Sequence, residues 1–113
     1  MRWIIFACFA APAFADAPEI LDATATRAGD LWRVSVTLRH DDTGWDDYAD
    51  AWRIVTEDGE IMGERILLHP HVEEQPFTRS LGGVALPPGR AYFIEARSLG
   101  EDYGTTRFPL PLD

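Results

Sequence analysis

This chain of 113 residues contains no lysine, and its ten basic residues are all arginines. The nineteen Asp and Glu residues outnumber them, which gives a formal net charge of −9 at pH 7. Such an excess of negative charge repels nucleic-acid phosphates and anionic lipid surfaces. We therefore expect no nucleic-acid partner, while cations, neutral ligands and basic protein surfaces stay open as partners.

Cysteine and long apolar segments are also scarce. Cys8 is the only cysteine, and it lies in a leader that has Arg2, an apolar run and Ala13-Phe14-Ala15, which fits an A-x-A cleavage site. We predict that residues 1–15 are a signal peptide, that residues 16–113 form one domain, and that the protein is periplasmic or secreted. Since about 20 apolar residues are needed to span a bilayer, we expect no membrane insertion after cleavage.

Helix signals are nearly absent, and short alternating segments recur between turn signals. The clearest runs over residues 31–39, where apolar side chains alternate with polar ones, as expected for a strand with one buried face. The predicted strands are 20–27, 31–39, 49–57, 60–69, 77–86, 90–99 and 105–110. The residues predicted to form the core are Trp32, Val34, Val36, Leu38, Trp52, Ile54, Tyr92 and Ile94. An all-β fold, a seven-stranded antiparallel sandwich, follows.

Glycines mark the predicted irregularities. Asp58-Gly59 is favoured by two-residue type I′ hairpin turns, in which both positions have positive φ. Gly63 predicts a bulge in the following strand, and Gly82-Gly83 predicts a break in the next one.

Two resemblances add to this interpretation. The segments WRVSVTL from Trp32, AYFIEARS from Ala91, and Trp52 on the third strand resemble fibronectin type III or immunoglobulin-like domains. The antibody cysteine pair is absent, so the type III version is closer, and the resemblance implies a binding or spacer module. The segments HDDTGWDDYADAW and HPHVEEQPFTRSL resemble uncharacterised small exported proteins of proteobacteria, which implies no activity.

Alternating strand directions predict that three loops share one end of the sandwich: 40–48, 69–76 and 100–104. All three histidines of the chain and many carboxylates then lie at this end. In extended backbone, residues i and i+2 project to the same side, so His69 and His71 can face one ion. Neutral imidazole suits zinc or copper. The residues predicted to bind a transition metal are His40, His69, His71, Asp42 and Asp47.

Other interpretations of this end stay open. Four aspartates at positions 41, 42, 46 and 47 offer oxygen ligands for calcium, although their spacing does not match the EF-hand loop. Trp45, Tyr48 and Tyr103 could instead form a platform for a sugar ring or a partner side chain. A solvated acidic loop without a ligand also fits the composition.

Catalytic motifs are missing. Ser35, Ser80 and Ser98 all lie in strand-like segments, and none is in G-x-S-x-G. We therefore expect an exported domain that is not an enzyme. We predict that it binds zinc or copper at the histidine-bearing end, and the alternative is a carbohydrate- or protein-recognition module that uses the acidic and aromatic loops.

Overall fold

The computed structural model describes residues 17–112, and the predicted signal peptide and Cys8 lie outside this range. The described residues form seven strands and no helix, so nothing in them is a helix of the length and hydropathy that a membrane crossing requires. The strands are β1 (Glu19–Ala28), β2 (Leu31–Arg39), β3 (Ala49–Thr56), β4 (Ile61–Ile66), β5 (Phe77–Val84), β6 (Tyr92–Ser98) and β7 (Phe108–Leu110).

The strands form two antiparallel sheets that pack face to face. One sheet has the order β1-β2-β5, and the other has the order β4-β3-β6-β7. The alternating apolar residues of β2, β3 and β6 fill the space between the sheets, because their side chains point inward at every second position. All eight residues predicted for the core are buried, and Trp52 is 0% exposed. The prediction of an all-β fold with seven strands is therefore confirmed.

The β3–β4 hairpin forms at Asp58-Gly59, but the predicted type I′ turn is wrong. Its loop has three residues, 57–59, closed by hydrogen bonds from the Gly59 N–H to the Thr56 carbonyl and from the Thr56 N–H to the Glu60 carbonyl, both 2.9 Å. Gly59 has a φ of 90°, whereas no other residue type has positive φ within 17–112. A single left-handed glycine is typical of three-residue hairpin loops, which spares Asp58 the strain of positive φ.

The predicted bulge at Gly63 is confirmed, whereas the predicted break at Gly82-Gly83 is wrong, because β5 continues through both glycines to Val84 and has only a register shift there. The pairing of β3 with β4 shifts register between Ile54 and Val55, opposite Gly63. The pairing of β2 with β5 shifts between Trp32 and Val34, opposite Gly82 and Gly83. A bulge places an extra residue on one strand, and glycine tolerates the altered backbone there.

The last predicted strand, 105–110, is longer than the observed one. Only Phe108–Leu110 pairs with β6, at Tyr92–Ile94. The residues before it, 99–107, run back along the outer face of the four-stranded sheet. Arg107 at the end of this segment donates to the Glu57 carbonyl, beside the β3–β4 turn. Their side chains cover the sheet, so they do not extend its edge.

The loops after β2, β4 and β6 begin at the same end of the sandwich, as predicted. The Leu99 N–H donates to the Tyr48 carbonyl at 2.9 Å, and the Leu67 N–H donates to the Asp50 carbonyl at 2.8 Å. We call this end, made of residues 40–48 and 67–76 with Leu99, the acidic rim.

Candidate functional site

A single buried carboxylate organises the acidic rim. Asp42 is 5% exposed, and its Oδ1 accepts from the His40 ring at 2.7 Å and from the Ala49 N–H at 3.0 Å. Its Oδ2 accepts from the His71 N–H at 2.7 Å. Hydrogen bonds to a carboxylate are shorter and stronger than those between neutral groups. Asp42 therefore joins the start of β3 and the loop after β4 to its own loop.

His40 serves the same junction. It extends the inward parity of β2 and is buried, and its backbone N–H donates to Gln75 Oε1 at 3.0 Å. Gln75 in turn donates from Nε2 to the His71 carbonyl at 2.8 Å. The second ring nitrogen of His40, Nε2, lies 3.8 Å from Asp47 Oδ1, so His40, Asp42 and Asp47 lie close together.

His71 is held on one face of its ring and at one edge. Its ring stacks on Phe77, with centroids 4.0 Å apart and planes 12° apart. Its Nε2 lies 2.8 Å from an Arg79 nitrogen and accepts that guanidinium proton, while its buried Nδ1 has no partner among the described residues. Burial, followed by the positive charge of Arg79, lowers the pKa of His71 below its usual 6.5. The ring is therefore neutral near pH 7.

The predicted metal ligands converge only in part. The ring of exposed His69 lies 4.9 Å from that of His71, centroid to centroid. His40 reaches His71 only through Asp42 and Gln75, and both contact the His71 backbone rather than its ring. Within residues 17–112, no group of three His, Cys, Asp or Glu side chains is arranged to hold a metal ion.

The predicted aromatic residues separate into two places. Trp45 is 65% exposed at the tip of the first rim loop, and it meets Tyr48 edge to face with ring centroids 5.8 Å apart. Tyr103 lies instead on the outer face of the four-stranded sheet. Its ring is covered by the Arg53 guanidinium at 3.9 Å, and Arg97 approaches the same ring at 5.2 Å.

Tyr103 is part of a polar network over that outer face. Its hydroxyl donates to Glu64 at 2.7 Å, and burial followed by this hydrogen bond raises the pKa of Tyr103 well above 10. Glu95, only 4% exposed, accepts from Arg53 at 2.8 Å and from Arg107 at 2.9 Å. The negative charge of the buried Glu95 carboxylate is balanced by its two guanidinium partners. The polar groups of this face therefore pair with one another and have a structural role.

Sequence reasoning missed Gln75, Arg79 and Glu95. Gln75 and Arg79 follow the His-Pro-His segment by a few residues, and no motif marks them. Glu95 lies in the alternating pattern of β6 at an outward position, where an exposed carboxylate is the ordinary expectation. The excess of arginine over lysine was the usable signal, because guanidinium groups are favoured in buried ion pairs.

Comparison with known proteins gives one relative of limited extent. Over 63 residues the chain is 48% identical to a protein of Halomicrobium mukohataei named "Putative lipoprotein". The alignment covers 55% of this chain and 31% of that protein, so the chain matches less than a third of the curated relative's length. No family model matches the chain, and no solved structure matches it.

Proposed function

We propose that this chain is an exported, non-enzymatic recognition module, and that its acidic rim binds a basic protein surface through Trp45. The observation that carries the proposal is the 65% exposure of the Trp45 side chain. Tryptophan has a large apolar surface, and such side chains dominate the binding energy of protein interfaces. A tryptophan that is held out in solvent is therefore suited to contact a partner.

The loop around Trp45 is fixed before any partner arrives. Asp42 anchors one end of it and accepts from the Ala49 N–H at the other. Between them, the Thr43 N–H donates to the Asp47 carbonyl at 3.0 Å, and the Asp47 N–H donates to the Gly44 carbonyl at 3.2 Å. A loop that is already ordered loses little conformational entropy on binding, which favours affinity.

The surrounding charge favours a basic partner. The rim loops 40–48 and 69–76 contain six carboxylates and no basic residue. An arginine or lysine of a partner can contact the face of Trp45 and at the same time approach Asp46 or Asp47. The overall charge of −9 would also speed the encounter with a basic surface.

Export is supported by two independent features. Residues 1–15 have the pattern of a cleavable signal peptide that ends at Ala13-Phe14-Ala15. The relative in Halomicrobium mukohataei is named "Putative lipoprotein", which fits a protein of the cell envelope. We propose a periplasmic or secreted location, with a mature chain that begins at Asp16. Intact-mass measurement of the exported protein tests this, and a mass that includes residues 1–15 would contradict it.

We further propose that the sandwich is of the fibronectin type III kind. In antibody constant domains the fourth strand joins the sheet of the first two strands, whereas here β4 pairs with β3 in the other sheet. Tyr92, at the start of β6, donates its hydroxyl proton to the Pro87 carbonyl, and this is the arrangement of a tyrosine corner. Binding or spacer roles are usual for domains of this resemblance.

The recognition proposal is tested by selecting random peptides on the purified protein. We expect peptides rich in arginine and lysine that lose about thirtyfold in affinity for Trp45→Ala, since a central tryptophan contributes about 2 kcal/mol or more. Leu68→Ala is the matched control, because Leu68 is 72% exposed on the neighbouring rim loop. A parallel panel of soluble oligosaccharides separates the two partner classes. Sugar binding that requires Trp45 would replace the protein partner, and peptide binding indifferent to Trp45→Ala would overturn the proposal.

A second candidate function is binding of zinc or copper at His69 and His71. It is favoured by the neighbouring rings of His69 and His71, whose centroids lie 4.9 Å apart. Because Nε2 of His71 accepts from Arg79, its Nδ1 carries the ring proton, so a metal ion at Nδ1 requires that this proton and the Arg79 contact be given up. Two imidazoles are fewer protein ligands than the three or four of established zinc sites, so we expect weak binding. Calorimetric titration with Zn²⁺ and Cu²⁺ tests it. Binding that is absent, or that survives both His69→Ala and His71→Ala, would remove this candidate.

A further inference from the structure

The end of the sandwich opposite the acidic rim contains an open pocket of about 610 Å³ between the two sheets. Its walls include Trp32, Leu86, Tyr92 and Leu110, each of which is buried. Arg27 and Arg90 line it as well. Small-molecule sites typically have volumes of about 300 to 1,000 Å³, apolar walls and a few polar groups that orient the ligand. The pocket has all three properties.

Arg27 occupies an unusual position at this pocket. The inward side of β1 carries Ala23 and Ala25, which are buried, and Arg27 follows at the same parity. It pairs across the strands with Trp32, and its guanidinium carbon lies 5.2 Å from the centre of that indole ring. The sequence thus places a cation where the pattern of the strand calls for another core residue.

Arg27 is also exposed and forms no ion pair among the described residues. Six arginines form ion pairs with carboxylates: Arg39, Arg53, Arg79, Arg90, Arg97 and Arg107. Arg27, Arg33 and Arg65 have no carboxylate oxygen within 4.0 Å among residues 17–112, although acidic residues outnumber basic ones by nineteen to ten in the chain. Of these three arginines, Arg27 alone lines the pocket. Arg90, the other arginine that lines the pocket, forms ion pairs with Glu57, Asp58 and Glu60.

We propose that this pocket binds a small amphipathic carboxylate. The carboxylate pairs with Arg27 in a charge-assisted hydrogen bond, and the apolar body lies against Trp32, Leu86 and Leu110. The chain is strongly acidic, so an anion gains here only from a local unpaired cation, and ligands with several negative charges are disfavoured. The site is separate from the acidic rim and does not depend on the function proposed for it.

The proposal is tested with octanoate and 1-octanol, which have the same apolar length and differ in charge. Each is titrated into the purified protein, and binding is followed by NMR at the indole N–H signals. We expect octanoate to move the Trp32 signal and leave the Trp45 signal in place, and to bind about tenfold more tightly than 1-octanol, since hydrogen bonds to charged groups add that much affinity.

Two variants separate a ligand site from a structural role of Arg27. Arg27→Gln is expected to lose about tenfold in octanoate affinity and to leave 1-octanol binding unchanged. Arg33→Gln is the matched control, because Arg33 is exposed and lies next to Trp32 on the outward side of β2, and it is expected to bind both probes as the original protein does. Equal affinities for the two probes in the original protein, no movement of the Trp32 signal, or equal octanoate affinities of the two variants would overturn the proposal. The comparison of the two probes needs no variant, so it decides the matter even if Arg27→Gln fails to fold.

Discussion

Asp42 shows how one buried carboxylate can fix three segments that are distant in sequence. It accepts hydrogen bonds from His40, from Ala49 and from the backbone of His71. In a buried place each of these donors would otherwise lack a partner, and an unsatisfied buried group costs about 1 to 3 kcal/mol. The geometry of the acidic rim therefore depends on this side chain more than on any other.

We predict that Asp42→Ala lowers the free energy of unfolding by about 3 to 5 kcal/mol, because it leaves buried donors without an acceptor. Urea unfolding followed by circular dichroism measures this change. Asp41→Ala is the control, since Asp41 is the exposed neighbour, and it is expected to change stability by no more than about 0.5 kcal/mol. Equal urea midpoints for the two variants would contradict the structural role of Asp42.

His71 makes stability depend on pH. Its pKa is lowered below 6.5, first by burial and then by Arg79, so the unfolded chain takes up a proton at higher pH than the folded one does. The stabilisation is present above the unfolded pKa of about 6.5 and is lost as the pH falls towards the folded pKa.

We predict that an NMR titration of the metal-free protein gives His71 a pKa below 6.5, and that Arg79→Gln raises that pKa because a nearby positive charge is removed. The urea midpoint should fall as the pH is lowered from 7 to 5, and the part of this fall that comes from His71 should be absent in His71→Phe. A His71 pKa above 6.5 would show that the ring is less buried than described.

The residues of the rim were predictable, but their partners were not. Strand parity and alternating strand directions place His40, Asp42 and the His-Pro-His segment at one end, and the structure has them there. Which donors meet Asp42 depends on loop conformation, and so does the contact of His71 with Arg79 rather than with His40. Several aspartates in one loop are equivalent in a sequence pattern, whereas only Asp42 is turned inward.

At the scale of elements, the segment between β6 and β7 acts as a cover for the four-stranded sheet. It brings Tyr103 onto Arg53, and it brings Arg107 to Glu95. This cover explains why Ala51 and Val55 are 0% exposed although they face away from the core. It also supplies Arg107, the second guanidinium partner of the buried Glu95 carboxylate.

We predict that Glu95→Ala lowers the free energy of unfolding by about 3 to 5 kcal/mol, because it removes the shared partner of Arg53 and Arg107 from a buried place. Arg90→Ala is the control: its three carboxylate partners are exposed, and such pairs are worth about 0 to 1 kcal/mol. Chemical denaturation measures both. A loss below about 1 kcal/mol for Glu95→Ala would mean that the outer-face network contributes little.

The elements were predictable to the extent that they are local. A strand, a turn and a bulge are each determined by a few neighbouring residues. The alternation of residues 31–39 marks a strand, Gly59 marks a turn, and Gly63 and Gly82-Gly83 mark bulges. The last strand was predicted too long. Residues 99–107 pack on the outer face of the four-stranded sheet, and the residues that they contact there on β3 and β4 are distant in sequence. The burial of Glu95 had the same cause.

At the scale of the whole molecule, charge is distributed unevenly. Eight of the nine arginines in residues 17–112 lie on the strands or on the covering segment, and five of these eight pair with carboxylates. The rim loops 40–48 and 69–76 contain acidic residues and no arginine. Repulsion between these loops opposes folding, and the hydrogen bonds of Asp42 and Gln75 hold them together. Salt weakens both repulsion and ion pairing, so the sign of its effect shows which is larger.

We predict that the repulsion is larger, and that raising NaCl from about 10 mM to about 150 mM increases the melting temperature by a few degrees, as the screening length shortens from roughly 30 to 8 Å. Calorimetry at fixed pH 7 measures the shift. The double variant Asp46→Asn, Glu73→Gln removes one charge from each rim loop at exposed positions, so it should melt higher at low salt and show a smaller increase with NaCl. A melting temperature that falls as salt is added would mean that the arginine ion pairs outweigh the repulsion between the rim loops. The rim would then have little electrostatic strain for a basic partner to relieve.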